Sequence, residues 1–266
     1  MTGQVWVLVL AVVTAGLLAA RARSHDDGDG DGATDGDGKA GRTVSAAPRA
    51  GTARGLAAQA RQQLLSARSL QVTVTDRSAG AGRSTPSALD LSLDRDGDCN
   101  GTVTFGTRGT ATVLRHGDRV WLRMDDALWR ARVPGSAGRA LTGRIAGRYV
   151  TGPASDPTLK DLASICDLSA LRAQLRAEAR DEVVTERGGP RTLHGVRVVP
   201  LTGTRHGTED TLYVTASGTP RLVEQTRTST GSGSRRTDVT TRYADQGAPV
   251  TVTAPAASDT VNVSRL

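Results

Sequence analysis

The chain has 266 residues, of which 37% are apolar and only 3% aromatic, and its formal net charge is +7. This length allows one large domain or two small ones, and so few aromatic side chains argue against a surface that stacks many bases or sugars. Two cysteines and four histidines exclude iron–sulfur clusters, cysteine-rich zinc modules and a small disulfide-rich fold.

The N-terminal segment is an uncharged apolar run, residues 5–20, rich in Val, Leu and Ala. As a helix it would be about 24 Å long, which is short for a bilayer core of about 30 Å and typical of a secretory signal. Ala20-Arg21-Ala22 has the small-x-small form of a peptidase site. We expect residues 1–22 to be a signal peptide or an N-terminal membrane anchor, and the protein to be extracytoplasmic, either secreted or held at the cell membrane.

A polar segment follows, predicted as a flexible Asp/Gly-rich linker over residues 23–54. Six Asp lie between residues 24 and 38, with no apolar residue larger than Ala, and like charges keep such a chain extended. Beyond residue 38 the chain has 32 basic and 21 acidic residues. This excess favours loose attraction to an anionic membrane or cell-wall surface. The arginines are scattered, so no nucleic-acid partner is predicted.

The two cysteines, Cys99 and Cys166, are predicted to form a disulfide, because an exported chain with an even cysteine count favours one. Closing a loop of about 68 residues would stabilise the fold by roughly 4 kcal/mol in the entropic model. The alternative is a cysteine nucleophile, and neither cysteine has a recognisable nucleophile context.

The body of the chain, residues 55–266, is predicted to be one domain that begins with a helix opening at residue 56. Apolar and polar residues then alternate in short runs bounded by Gly, Asp or Pro, which indicates an antiparallel sheet with one solvated face. The runs are residues 70–75, 89–94, 102–105, 120–125, 192–201, 211–215, 221–228 and 236–243. Between them, residues 159–166 and 168–175 have the spacing of short amphipathic helices, with Asp156-Pro157 as a helix start.

A sheet of nine or more strands accumulates twist and curls into a barrel or a partial barrel. Its apolar face is then concave, and the short helices are its only candidate cover. That face is either a cavity for a hydrophobic ligand or a packed core, and the sequence leaves both open. By strand parity we place ten residues on it: Leu89, Leu91, Leu93, Val103, Phe105, Val113, Leu122, Val198, Leu212 and Val214.

Four stretches of sequence resemble actinobacterial envelope lipoproteins of the LolA / LppX–LprG-like group. They are GDCNGTVTFG (97–106), VLRHGDRVWLR (113–123) with ALWR (127–130), LASICDL (162–168) and APVTVTAP (248–255), the last resembling the group's final strand. The resemblance spans residues 56–260. It implies an α+β fold, a large curved antiparallel sheet (a half-barrel) covered by short α-helices, that carries lipid chains or acylated proteins in its concavity. Arg21 stands where the group places its lipid-bearing cysteine.

Catalytic motifs are missing from the sequence: there is no nucleophile elbow, Walker loop or H-E-x-x-H pair. His116, His194 and His206 each precede a glycine in a turn-like setting, and we expect no metal site, no catalytic residue and no cofactor. The sequence therefore predicts a non-enzymatic, monomeric envelope protein that binds a lipid or another hydrophobic ligand. The alternative is an envelope sensor or protein-interaction module with a filled core.

Overall fold

The computed structural model describes residues 51–78, 81–82, 85–132, 135–181, 183–229 and 236–265. The predicted signal peptide and most of the predicted linker fall on residues 1–50, outside the described residues. Among the described residues, no helix is both long and apolar enough to cross a membrane.

Thirteen strands form a single sheet in the described parts of the chain. They run in the spatial order β13-β6-β5-β4-β3-β2-β1-β12-β11-β10-β9-β7, with β8 paired to β9 beside this path. The strands are β1 (Ser69–Asp76), β2 (Ala88–Asp94), β3 (Cys99–Thr104), β4 (Thr110–His116), β5 (Arg119–Met124), β6 (Tyr149–Pro153), β7 (Glu186–Arg187), β8 (Arg191–Leu193), β9 (Val196–Arg205), β10 (Thr208–Thr215), β11 (Leu222–Ser229), β12 (Asp238–Ala244) and β13 (Thr260–Asn262). Every pairing is antiparallel except that of β13 with β6.

The two ends of the sheet do not pair with each other, so the sheet is curved but unclosed. Short helices accompany it: α1 (Ala53–Ser66), α2 (Asp126–Arg132), α3 (Gly135–Ile145), α4 (Lys160–Ala163) and α5 (Leu168–Asp181), with a 3₁₀ turn over Ser164–Cys166. The predicted fold class, a large curved antiparallel sheet with a few short helices, is confirmed.

Helix α1 begins three residues before the predicted position, because the side chain of Thr52 accepts a hydrogen bond from the Gly55 N–H at 3.0 Å and caps the first turn. The predicted start of a middle helix at Asp156-Pro157 is wrong by one turn. Asp156 Oδ1 accepts the Thr158 N–H at 2.8 Å and forms a turn, and helix α4 begins at Lys160.

Two predicted strand assignments also need correction. The run 192–201 is split into β8 and β9 by a turn at His194 and Gly195, whose φ angles are 49° and 78°. Positive φ at both central residues is the geometry of a two-residue hairpin. Strand β6 lies between α3 and α4, where only helices were predicted.

The C-terminal segment after β12 crosses the sheet to its other end. Residues 248–255, which resemble a final strand in sequence, have no regular secondary structure. In this stretch the Asn100 side chain donates a hydrogen bond from Nδ2 to the Thr251 carbonyl at 2.9 Å. The final strand is β13, which pairs in parallel with β6. Five strands of the sheet separate β6 from β12, the strand that precedes this segment in the chain.

Candidate functional site: the inner face of the sheet and its cover

One face of the sheet, which we call the inner face, is aliphatic across most strands. Register aligns Val72 with Leu91, and Gly101 lies between Leu91 and Val113 on the neighbouring strands. Because directly paired residues point to the same face, these positions form one continuous layer. A Cβ on Gly101 would lie 2.7 Å from Cδ2 of Leu91 and 2.0 Å from the Asp90 carbonyl oxygen, so only glycine fits there.

Nine of the ten residues that the sequence placed on this face belong to the core or pack against its margin. Leu89 is half-buried and packs against the margin of the core. The other eight belong to the core and are at most 3% exposed: Leu91, Leu93, Val103, Phe105, Val113, Leu122, Leu212 and Val214. Their assignment to a ligand stays a prediction.

Val198 is the exception, and its predicted placement on the inner face is wrong. It pairs with Thr215, whereas Val199 pairs with Val214 and Leu201 with Leu212. Neighbouring residues in a strand point to opposite faces, so Val199 and Leu201 are the inner-face residues of β9. Residues 198–201 are all apolar, which removes the alternation from which parity is read.

Separate short helices cover the inner face. Helix α1 contacts β10, β11 and α5, while α2 and α4 contact β4. Their apolar residues are buried in the same core, including Leu64 of α1, Leu162 of α4 and Leu175 of α5. Trp129 of α2 is 5% exposed and lies in the core, so it is a packing residue in this structure.

A disulfide joins the cover to the sheet. Cys99, at the start of β3, is bonded to Cys166, at the end of the 3₁₀ turn before α5, and their Cα atoms are 5.5 Å apart. Both residues are at most 1% exposed. The predicted pairing is present in the structure.

Helix α5, which follows this disulfide, is capped by Asp167. Its Oδ1 accepts hydrogen bonds from the N–H groups of Ser169 at 2.8 Å and Ala170 at 3.1 Å, and from the Ser169 hydroxyl at 2.6 Å. Burial acts to raise the pKa of Asp167, but these hydrogen bonds and the charge of Arg115 outweigh it and hold the pKa below its ordinary value.

The inner face is interrupted by a group of buried polar side chains under α1 and α5. We call Arg61, Glu178, Asp210, Gln225 and Arg227 the inner polar cluster. Arg227 Nε donates to Asp210 Oδ1 at 2.8 Å across the β10–β11 pair, and Arg61 Nη2 donates to Gln225 Oε1 at 3.4 Å. Arg61, Glu178 and Gln225 are at most 9% exposed. A hydrogen bond from Arg61 therefore joins α1 to the sheet, and the carboxyl group of Glu178 places α5 within the electrostatic influence of Arg61 and Arg227.

Within the cluster, Glu178 is an acidic group whose pKa is shifted mainly by burial. Burial raises the pKa of Glu178, although the positive charges of Arg227 and Arg61 and a hydrogen bond from Gln174 oppose the rise. Gln174 Nε2 donates to Glu178 Oε1 at 3.1 Å, while no group among the described residues hydrogen-bonds the buried Oε2.

Sequence reasoning did not identify the inner polar cluster, although a signal for it exists. Glu178 follows Leu168, Leu171 and Leu175 at helical spacing, so it continues the apolar stripe of α5. Arg61 occupies the same kind of position in α1, between Ala57 and Leu64. A charged residue on the buried stripe of an amphipathic helix indicates a buried polar contact.

The inner face is closed in this structure. The eight predicted residues that belong to the core are 0–3% exposed, so their side chains are packed against other protein atoms. A polar surface cleft of about 310 Å³ lies elsewhere, near the β2–β3 turn, and is lined by Arg68, Ser69, Asp94, Arg95, Asp96 and residues 247–249. It contains none of the ten predicted residues.

The three histidines in the described parts of the chain lie in hairpin turns (His194 and His206) or at the end of a strand (His116, the last residue of β4). His194 and His206 have φ near 50° and each precedes a glycine in a hairpin. His116 Nδ1 lies 2.7 Å from Asp98 Oδ1, and His194 Nε2 lies 2.7 Å from Glu224 Oε2. No group of three or more His, Cys, Asp or Glu side chains among the described residues could hold a metal ion.

Comparison with protein families found no match, and comparison with curated proteins found none. Among solved structures, the fold is similar to LprF from Mycobacterium bovis, with 17% identity, a TM-score of 0.47, and 77% of this chain and 97% of that chain covered. It is also similar to the Mycobacterium tuberculosis lipoprotein LppX, with 12% identity, a TM-score of 0.46, and 76% and 98% covered. These two proteins are of the group that the sequence resembles. At this level of similarity, function has to be argued from the residues of this chain.

Proposed function

We propose that this chain is a non-enzymatic extracytoplasmic protein that binds a lipid or another apolar ligand between the inner face of the sheet and the helices that cover it. The observation that carries the proposal is the division of the core between two layers. One layer is a hydrogen-bonded sheet with an aliphatic face, and the other is a set of short helices. Such layers can separate without breaking the backbone hydrogen bonds of the sheet.

The route of opening follows from how the cover is attached. The 3₁₀ turn before α5 is bonded to β3 by the Cys99–Cys166 disulfide, so this side of the cover stays in place. Over β10 and β11 the cover is held by non-covalent contacts: the apolar residues of α1 pack in the core, and Arg61 Nη2 donates to Gln225 Oε1. The ligand enters under α1 and the C-terminal half of α5, displacing them from the sheet. The disulfide also supports an oxidising compartment.

The second candidate is an interaction module with a filled core, which the closed packing of the inner face favours. The two proposals differ in what occupies the face in the cell. Native mass spectrometry of the protein purified from its source, followed by organic extraction, tests this directly. A discrete apolar adduct supports ligand binding, whereas protein of bare sequence mass supports the filled core and overturns the ligand proposal.

A pair of substitutions gives a second test. Leu91→Asp places a carboxylate on the inner face, and Ser92→Asp places one on the opposite face of the same strand. If the face receives a ligand, Leu91→Asp stays folded by circular dichroism and loses binding of an apolar fluorescent dye, while Ser92→Asp keeps both. If Leu91→Asp unfolds while Ser92→Asp stays folded, the face is a packed core.

A further inference from the structure

One stretch of the chain carries a concentrated positive charge. Residues 119–149 contain seven Arg and no Lys, against two Asp and no Glu. The stretch includes β5, α2, α3 and the first residue of β6. Of its arginines, Arg119, Arg123, Arg130, Arg139 and Arg144 are exposed.

Several of these arginines gather at the edge of the sheet where β13 pairs with β6. Arg144, near the end of α3, donates from Nη2 to the Arg265 carbonyl at 3.0 Å, and Arg148 donates from Nη2 to the Thr260 carbonyl at 2.6 Å. Tyr149 pairs with that same Thr260. We call the surface formed by Arg123, Arg139, Arg144, Arg148 and Arg265 the basic edge.

Two further arginines complete the basic edge. The Arg123 guanidinium lies 4.7 Å from the centre of the Tyr149 ring, which brings β5 to the same surface. Arg139 is an exposed residue of the same helix as Arg144, about 7.5 Å from it along the axis and about 140° around it. The basic edge therefore draws on β5 (Arg123), on α3 (Arg139 and Arg144) and on the residues just before β6 and just after β13 (Arg148 and Arg265).

The charge of the basic edge is not compensated by nearby carboxylates. In the described parts of the chain, none of its five guanidinium groups lies within 4.0 Å of a carboxylate. Asp125, two residues after Arg123, has its carboxylate bound to backbone groups. Its Oδ2 accepts the Thr110 N–H at 2.7 Å and its Oδ1 accepts the Leu128 N–H at 2.8 Å.

We propose that the basic edge docks on the surface of an anionic phospholipid bilayer. Guanidinium groups match phosphate in geometry and are weakly hydrated, so they transfer readily to a phosphate surface. Four of the five arginines, all except the half-buried Arg148, are exposed and are spread over one end of the molecule, which suits a planar array of phosphates better than a single bound ion. Helix α3 consists largely of Gly, Ala and Ser, so its arginines can approach the surface closely. The surface is separate from the inner face, and docking does not depend on ligand binding.

The test measures partition of the full chain onto vesicles by sedimentation. Vesicles of phosphatidylcholine alone are compared with vesicles containing phosphatidylglycerol, at low and high NaCl. The apolar run of residues 5–20 contributes equally to every variant, and its contribution is measured on the neutral vesicles. The triple variant R139Q/R144Q/R265Q is compared with R54Q/R221Q/R242Q, which removes three exposed arginines located on α1, before β11 and on β12.

We expect the basic-edge triple to weaken binding to the anionic vesicles by at least about tenfold, and the control triple by less than about twofold. We also expect the difference to disappear at high salt, because screening shortens the range of the interaction. Equal loss in both triples would show that only net charge matters and would overturn the proposal. So would binding that is the same on neutral and anionic vesicles. The single variant R139Q, at an exposed side chain with no hydrogen bond to another described residue, repeats the test if the triple does not fold.

Discussion

Cys99 and Cys166 join strand β3, near the middle of one half of the sheet, to the turn that leads into helix α5. The bond therefore fixes the cover against the sheet at one point and leaves the opposite end, under α1, dependent on non-covalent contacts. This asymmetry bears on stability and on the route of ligand entry proposed above.

We expect the double variant Cys99→Ala/Cys166→Ala to lose about 3–4 kcal/mol of unfolding free energy, because a cross-link between residues 67 positions apart no longer restricts the unfolded chain. Guanidinium unfolding followed by circular dichroism measures the loss. Wild-type protein treated with dithiothreitol is the control and should match the variant. An unchanged midpoint in both samples would contradict the expectation.

Leu122 and Leu114 lie on neighbouring strands but on opposite faces of the sheet. Leu122 is 1% exposed, so Leu122→Ala should cost about 2–5 kcal/mol through the lost burial and the cavity left behind. Leu114 is half-buried on the other face, and Leu114→Ala should cost about 1 kcal/mol. Urea unfolding of both variants makes the comparison, and equal losses would show that the faces are not distinguished by burial.

Asp167 caps α5, and Asp167→Ala should destabilise the protein by about 1 kcal/mol at neutral pH, since two N–H groups lose their acceptor. Asp167→Asn keeps an acceptor and should retain most of that stability. Because the folded-state pKa of Asp167 is lowered, its contribution is present above the ordinary pKa of 3.8 and is lost as the pH falls through the folded-state value. Unfolding curves at pH 7 and at pH 3 check both statements, and a loss of equal size at the two pH values would refute the second.

The pKa of Glu178 is raised, so its effect on stability changes with pH in the direction opposite to that of Asp167. The folded protein holds the proton more strongly than the unfolded chain, so the contribution of Glu178 to unfolding free energy falls as the pH rises from about 4.5 through the folded-state pKa. Glu178→Gln removes the titration and the charge while keeping the shape of the side chain and an acceptor oxygen for Gln174 Nε2. The stability of Glu178→Gln relative to wild type should therefore increase with pH between 4 and 8. Glu209→Gln, at an exposed position on β10, is the control, and a flat difference for both variants would contradict the assignment.

Much of the sheet could be predicted from the sequence, because strands with one solvated face show their period directly. The alternation of Leu89, Leu91 and Leu93 with polar residues is an example, and these residues form β2 with two of the three fully buried. The inward-facing residues of β9 were predicted wrongly because this alternation is missing there. Residues 198–201 are all apolar, so the sequence does not show which of them face inward.

Features that depend on distant contacts could not be predicted. Strand β6 contains Gly152, where a Cβ would lie 2.7 Å from Cγ1 of Val263 and 3.1 Å from Cδ1 of Leu159. Its glycine and proline weaken any strand pattern, and their packing partners are known only from the fold. The inner polar cluster likewise joins residues 164 positions apart in the Arg61–Gln225 contact.

The pairing of β13 with β6 affects the order in which the chain can fold. Strand β6 ends at Pro153, and the strand that covers its free side begins more than a hundred residues later, at Thr260. Cys99 and Cys166 are both synthesised well before β13, so their oxidation can precede the last strand pairing. Until then the side of β6 offers unpaired backbone groups to any neighbouring chain, and this interval is when a nascent copy is most exposed to strand exchange with another.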